Sequence, residues 1–122
     1  MAEITIDTIE VTGAAITLTA ANAGGDYILN PAGTGEVFFI VDNQDASSTD
    51  VTVTAPAATI SVAGYGTLWV NDIVHSVGAG EAHYMFKAPN RRVYNDSNDQ
   101  VNLTYTSVTS LTIGAFIIAA DV

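Results

Sequence analysis

"RRVYNDSNDQVNLTYTSVTSLTIGAF", residues 91–116, contains the fold problem in miniature. Within it "VNLTYT" (101–106) alternates, with Val101, Leu103 and Tyr105 on one side and polar residues on the other. An alternation of period two describes a strand with one buried face. The polar cluster before it, Asn95-Asp96-Ser97-Asn98-Asp99, has two readings: a metal-binding loop, or a corner between strands. A helix–loop–helix calcium site needs alternating oxygen ligands, a central Gly and a distal Glu. Here the Gly is missing and Gln100 leads into a strand pattern. Asn and Asp also form Asx turns and tolerate left-handed backbone, so the corner is the reading carried forward.

Working outward, the same alternation recurs in "ITLTA" (16–20), "VTVTA" (51–55) and "TISVA" (59–63). Two stretches differ, because "VFFIV" (37–41) and "GAFII" (114–118) are apolar on both faces. That suits central strands, or strands whose second face a partner subunit covers. Turn signals separate the strands: Gly24-Gly25, "NPAGTG" (30–35), "DNQDASSTD" (42–50), "AGYG" (63–66), "GAG" (78–80) and "APNRR" (88–92). Short strands at this spacing predict an all-β fold, an antiparallel sandwich or jelly-roll-like barrel, in a single domain. Residues 1–12 read as an edge strand or as an arm that pairs with a neighbouring subunit, and residues 13–122 as the sandwich.

The chain has 122 residues, 48% of them hydrophobic and 13% charged, which excludes a disordered chain. Thirteen acids against three bases give a formal charge of −10. Nucleic acid and anionic membrane surfaces call for positive footprints, so neither is an expected partner. No Cys is present, which removes disulfides and thiolate chemistry. "MAEITIDTIE" has acids where a secretory signal has bases, and "IGAFIIAA" (113–120) is too short to span a bilayer. The expectation is a soluble acidic protein, and the Asn95 and Asn102 sequons carry no weight without a secretory signal.

Candidate chemistry is thin. Glu81 and His83 sit two apart on one strand face and could offer two ligands, with His75 as weak further support for zinc, which needs three or four. No nucleophile elbow, phosphate-binding Gly-rich loop or H-E-x-x-H pair occurs, so no catalytic residue, cofactor or metal is assigned. Tyr65 and Trp69, four apart with Asn71 and Asp72 nearby, offer a sugar-stacking platform. The alternative is that Trp69 packs in the core or an interface while Tyr65 covers a turn. The most localised charge is basic, since Lys87, Arg91 and Arg92 are all the bases there are and they flank one turn. They either orient docking onto an acidic partner or pair with Asp96 or Asp99 of their own corner. These three, together with Glu3, Ile4 and Ile6 of the N-terminal segment, are the candidate contacts to a partner or a neighbouring subunit.

From "GGDYILNPAGTGEVFFIVDN", through "VTVTAP", to "GAGEAHYMFKAPNRRVYNDSNDQVNLTYTSVTSLTIGAFII", the chain resembles the decoration, or cement, proteins of tailed-bacteriophage heads. The matching features are Gly24-Gly25-Asp26, Asn43 closing "FFIVDN", Pro56 ending a Thr/Val strand, Gly80-Glu81 before "YMFKAP", and "YNDSNDQVNLTYTSVTSLTI". One departure is Asp99, at a corner where a Gly is usual. The resemblance implies a β-sandwich or jelly-roll that coats an assembled shell, without catalysis, as a homotrimer on the major capsid protein. It implies a place on the virion exterior after synthesis in the bacterial cytoplasm. The other readings are a carbohydrate- or receptor-binding module, and a head–tail or tail structural protein.

Overall fold

The computed structural model describes residues 1–10 and 12–119; Ala120 of the late apolar run and the last two residues assigned to the sandwich lie outside the described residues. In chain order the strands are β1 (Ala2–Glu3), β2 (Ile6–Ile9), β3 (Thr19–Ala20), β4 (Asp26–Leu29), β5 (Phe38–Asn43) and β6 (Thr49–Val53). They continue with β7 (Thr59–Val62), β8 (Gly66–Trp69), β9 (Ile73–Val77), β10 (Tyr84–Lys87), β11 (Gln100–Tyr105) and β12 (Leu111–Ile118). One four-residue helix, α1 (Arg91–Tyr94), stands in the turn between β10 and β11.

Ten of these strands form two sheets, one ordered β1-β4-β11-β6-β9 and the other β10-β5-β12-β2, with β3 beside β12. The all-β sandwich expected from the alternation is what the chain forms, and neither sheet closes into a barrel among the described residues. The core follows from the strand period. Val51, Val53, Val101 and Leu103 of one sheet meet Phe39, Val41, Ile113 and Ala115 of the other, all fully buried. Burying each Val, Leu, Ile or Phe of this set contributes roughly 1.5–3 kcal/mol, as an upper estimate.

The antiparallel expectation needs one correction. β1 runs parallel to β4 and β2 runs parallel to β12, so the N-terminal segment gives one strand to each sheet. Between them Ile4 drops into the core. The segment therefore bridges one side of the sandwich as an edge strand in two parts, and among the described residues it is not a free arm. On the opposite side β9 and β10 are the outer strands, and the His75 ring stacks on Phe86 with centroids 4.0 Å apart. Burial lowers the pKa of His75 below its ordinary value, favouring the neutral ring that also meets the Tyr84 hydroxyl at 3.2 Å.

The stretches apolar on both faces are β5 and β12, hydrogen-bonded to each other in the middle of the second sheet. Their outward residues include Phe38 stacked on Phe116 at 5.4 Å, and Ile40 opposite Gly114. The chain's own Ile16–Leu18 lies over Gly114, so this part of the second face is covered without a partner. "ITLTA" keeps the burial alternation through Ile16 and Leu18, both half-buried, but not at Ala20, which is exposed, and only Thr19 and Ala20 join a ladder.

Buried polar residues lock the corners. Asn43 is 0% exposed, and its Nδ2 donates to the carbonyls of Ser47 at 3.1 Å and Gly78 at 3.0 Å, while its Oδ1 accepts from the Asp45 amide. Asp26 accepts from the Tyr105 hydroxyl at 2.6 Å and from the Asn22 amide at 3.1 Å. Burial first, and then the bond to Asp26 and its charge, raise the Tyr105 pKa far above the ordinary phenol range.

The "NDSND" corner is an Asx turn. Asp96 Oδ2 accepts from Asn102 Nδ2, and its Oδ1 accepts from the amides of Asn98 and Gln100. The Asn102 bond foremost, with the two amide bonds, holds the Asp96 carboxyl below its ordinary pKa against the opposing effect of burial. Its contribution to stability is present above the unfolded pKa and is lost as pH falls through the lowered folded value.

Asp99 adopts φ 58°, the left-handed backbone that Gly accepts most readily. Its carbonyl accepts the Asn30 amide at 2.7 Å, a bond any residue here can keep. Asp99→Gly is therefore expected to be neutral to stabilising, by up to about 1 kcal/mol, the relief being partly offset by the greater freedom of Gly in the unfolded chain. Urea denaturation of the two proteins checks this, and a loss of more than about 1 kcal/mol would mean the side chain itself holds the corner.

Candidate functional site

Lys87 ends β10 and Arg91 and Arg92 open α1, so the turn between them brings all three bases to one place. They line an open cleft of about 740 Å³, with Glu36 on its rim and Val37, Ala88 and Pro89 as apolar lining. Local sequence makes the wall. Pro89 ends the strand ladder and Asn90 caps α1, its side chain accepting the Arg92 amide at 2.9 Å.

Each base has its own partner, and none pairs with Asp96 or Asp99. Lys87 Nζ meets Glu36 Oε1 at 2.7 Å, with both side chains more than half exposed. An exposed pair of this kind contributes only about 0–1 kcal/mol and opens readily. Arg91 donates through Nε to the Asn30 carbonyl at 3.2 Å and through Nη2 to the Gly35 carbonyl. Arg92 Nη2 donates to the Ser61 carbonyl at 3.1 Å. Both guanidiniums are thus held in position by neutral carbonyls and have no carboxylate among the described residues. At the base of the cleft the Asn30 side-chain oxygen is buried without a hydrogen-bond partner among the described residues.

The N-terminal candidates lie elsewhere. Ile4 belongs to the core, Ile6 packs against it half-buried, and Glu3 is exposed beside a recess of about 210 Å³ that it shares with Asp7, Thr17 and Thr19. Ile4 accordingly presents no surface for a shell or neighbour. The zinc set also comes apart: Glu81 and His83 precede β10, His83 has φ 63°, and Glu81 Oε2 closes its own turn on the Gly78 amide at 2.8 Å. Among the described residues no three His, Asp or Glu side chains are grouped to hold a metal ion, and no helix is long and apolar enough to cross a membrane.

Strands β7 and β8 pair only with each other, as a ribbon outside both sheets. Trp69 is 82% exposed and Tyr65 81%, so Trp69 does not pack in the core of this chain. Tyr65 lies in the turn before β8, so the two aromatics do not share a strand face. Trp69 stands opposite Thr59, on the ribbon face that also carries Ser61 and Thr67. Asp72 accepts the Ala55 amide at 2.7 Å, and the Asn71 carbonyl accepts the Tyr94 hydroxyl at 2.9 Å. These bonds and that of Arg92 tie the ribbon to the body.

The basic cluster was visible in the order of residues 87–92, but its cleft was not. Glu36, Asn30 and Gly35 arrive from more than fifty residues away, and no local pattern announces them. Comparison of the chain with family models, curated proteins and solved structures gives no match.

Proposed function

We propose that this protein is a structural, non-enzymatic decoration protein that coats the outside of an assembled bacteriophage head, binding the major capsid protein as a homotrimer. The observation that carries the reading is where the residues behind the resemblance sit. Gly25-Asp26, Asn43 and Asp96 each lock a corner of the sandwich through buried or turn hydrogen bonds. A likeness concentrated in residues that determine the fold supports a likeness of the whole scaffold, and the adhesive function is carried over from the family by that analogy. The charge pattern fits: an acidic body is repelled by packaged nucleic acid, while its one basic cleft gives docking a fixed direction. Ligation that favours the assembled shell stabilises it by mass action.

The test is co-sedimentation with intact heads and, separately, with unassembled capsid subunits. Binding to heads alone is expected; equal binding to both, or to neither, rejects the reading. Light scattering at micromolar concentration tests the trimer, which a strict monomer would remove. Electron microscopy of virions separates a place on the head from one on the tail.

A second reading has its own observation, the exposure of Trp69 and Tyr65 on a ribbon whose Trp face is rich in hydroxyls. An open indole with adjacent hydroxyls is suited to stacking a sugar ring. On a glycan array this reading expects a signal that Trp69→Ala removes, and no signal from the unmodified protein ends it.

A further inference from the structure

We propose that the basic cleft is a receptor for peptide carboxylates, taking Asp or Glu side chains from an exposed segment of the shell protein, and that Glu36 is its tethered competitor. The identity of the partner rests on the decoration reading; the chemistry of the cleft does not. Three positive side chains and one carboxylate line it, a local surplus of two charges on a body whose overall charge is −10. Lys87 already holds one carboxylate, that of Glu36, at 2.7 Å. The internal pair therefore displays the interaction an incoming acid would make, at a site exposed enough for exchange. Arg91 and Arg92 are positioned by backbone carbonyls, which orient a guanidinium without neutralising it. Their remaining donors are the uncommitted part of the cleft.

Size and lining select a peptide over a small inorganic anion. About 740 Å³ is within the usual range of ligand sites. A free phosphate would occupy a fraction of it and leave the half-buried Ala88 and Pro89 facing water, whereas the stem of a peptide covers them. A doubly charged phosphate is also repelled more strongly by the acidic body than a single carboxylate. A second copy of this chain is the weaker occupant, because it brings the same excess of ten negative charges to the contact.

The experiment is an amide-shift NMR titration of the intact protein at low salt. The probe is the capped peptide acetyl-Gly-Glu-Gly-Glu-Gly-amide, with the Gln-for-Glu peptide and inorganic phosphate as parallel arms. Saturable shifts confined to residues 35–37 and 87–92 are expected with the Glu peptide and not with the Gln peptide. Glu36→Gln should tighten binding about threefold by removing the competitor, and Lys87→Gln should weaken it by a similar factor. Both positions are exposed, and the dispersion of the same spectra reports that each variant is folded. A gain on removing Glu36 is not expected of a residue that only supports the wall. The proposal is overturned by absent or unsaturable shifts, by equal response to the Gln peptide, or by tighter binding of phosphate. It is also overturned if dilution without peptide moves the same amides, which would assign the cleft to another copy. Peptide binding without capsid binding would leave the cleft standing and reject the decoration reading, so the two failures are distinguishable.

Discussion

Asn43→Asp should cost about 4 kcal/mol at neutral pH, enough to unfold much of a domain of ordinary stability, and should recover part of that loss on acidification. The site is fully buried at the end of β5. The native amide sets its Nδ2 against carbonyl oxygens of Ser47, Val77 and Gly78, all within 3.4 Å, and its Oδ1 against the Asp45 amide. A carboxylate keeps the second bond and turns the first set into oxygen facing oxygen. It also leaves a buried negative charge with no cation beside it.

The pH dependence follows from linkage. Burial among carbonyls raises the folded pKa of the new carboxyl above its unfolded value of about 3.9. The variant is then least destabilised below the unfolded pKa, where the acid is protonated in both states and can donate one hydrogen bond. It loses stability as pH rises toward the folded pKa, and the loss is complete above that. Asn43→Ala removes the donors without adding charge, so it should cost about 2–3 kcal/mol with little pH dependence. Urea denaturation of both variants at neutral and mildly acidic pH decides it. Equal, pH-independent losses would show that Asn43 only fills space.

This corner shows what was legible in the order of residues and what was not. Asn43 stands out in the sequence as the end of an apolar run, but its three carbonyl partners do not, since they come from the loop after β5 and from the end of β9 with the turn that follows it. The strands themselves were legible, because alternation in "VTVTA" and "VNLTYT" is a direct record of which face is buried. Parallel pairing of β1 and β2 was not, since a strand's own pattern is the same whichever way its neighbour runs. α1 has four residues, too few to display a helical period. Trp69 misleads for another reason: hydrophobicity argues for burial, but the ribbon that carries it pairs with neither sheet. The bases of the cleft could be read because they are neighbours in sequence, and Glu36 could not because it pairs across 51 residues.

Gly114→Ala carries the second large expectation, a loss of about 2–4 kcal/mol, and it asks what covers the outer face of the second sheet. A Cβ at this position would lie 2.6 Å from the Thr17 carbonyl oxygen, 3.0 Å from Leu18 Cδ2 and 3.3 Å from Ile16 Cγ2. Backbone has little freedom to yield there, because β3 pairs with Thr112–Ile113 on one side of the glycine and β2 with Ala115–Ile118 on the other. The overlying segment must lift, and lifting it uncovers the neighbourhood of Ile40, directly opposite Gly114. Leu18→Ala thins the same cover without a clash and should cost less, about 1–2 kcal/mol. If the chain covers its own sheet, both losses are independent of protein concentration, and the Ala variant gains a tendency to associate through newly exposed apolar surface. If another copy were the true cover, the loss would instead grow on dilution, as it does when folding and assembly are coupled. Chemical denaturation across a hundredfold range of concentration, with sedimentation velocity on the same samples, separates the two. A folded, fully stable Gly114→Ala protein would mean that Ile16–Leu18 does not rest on the sheet in solution.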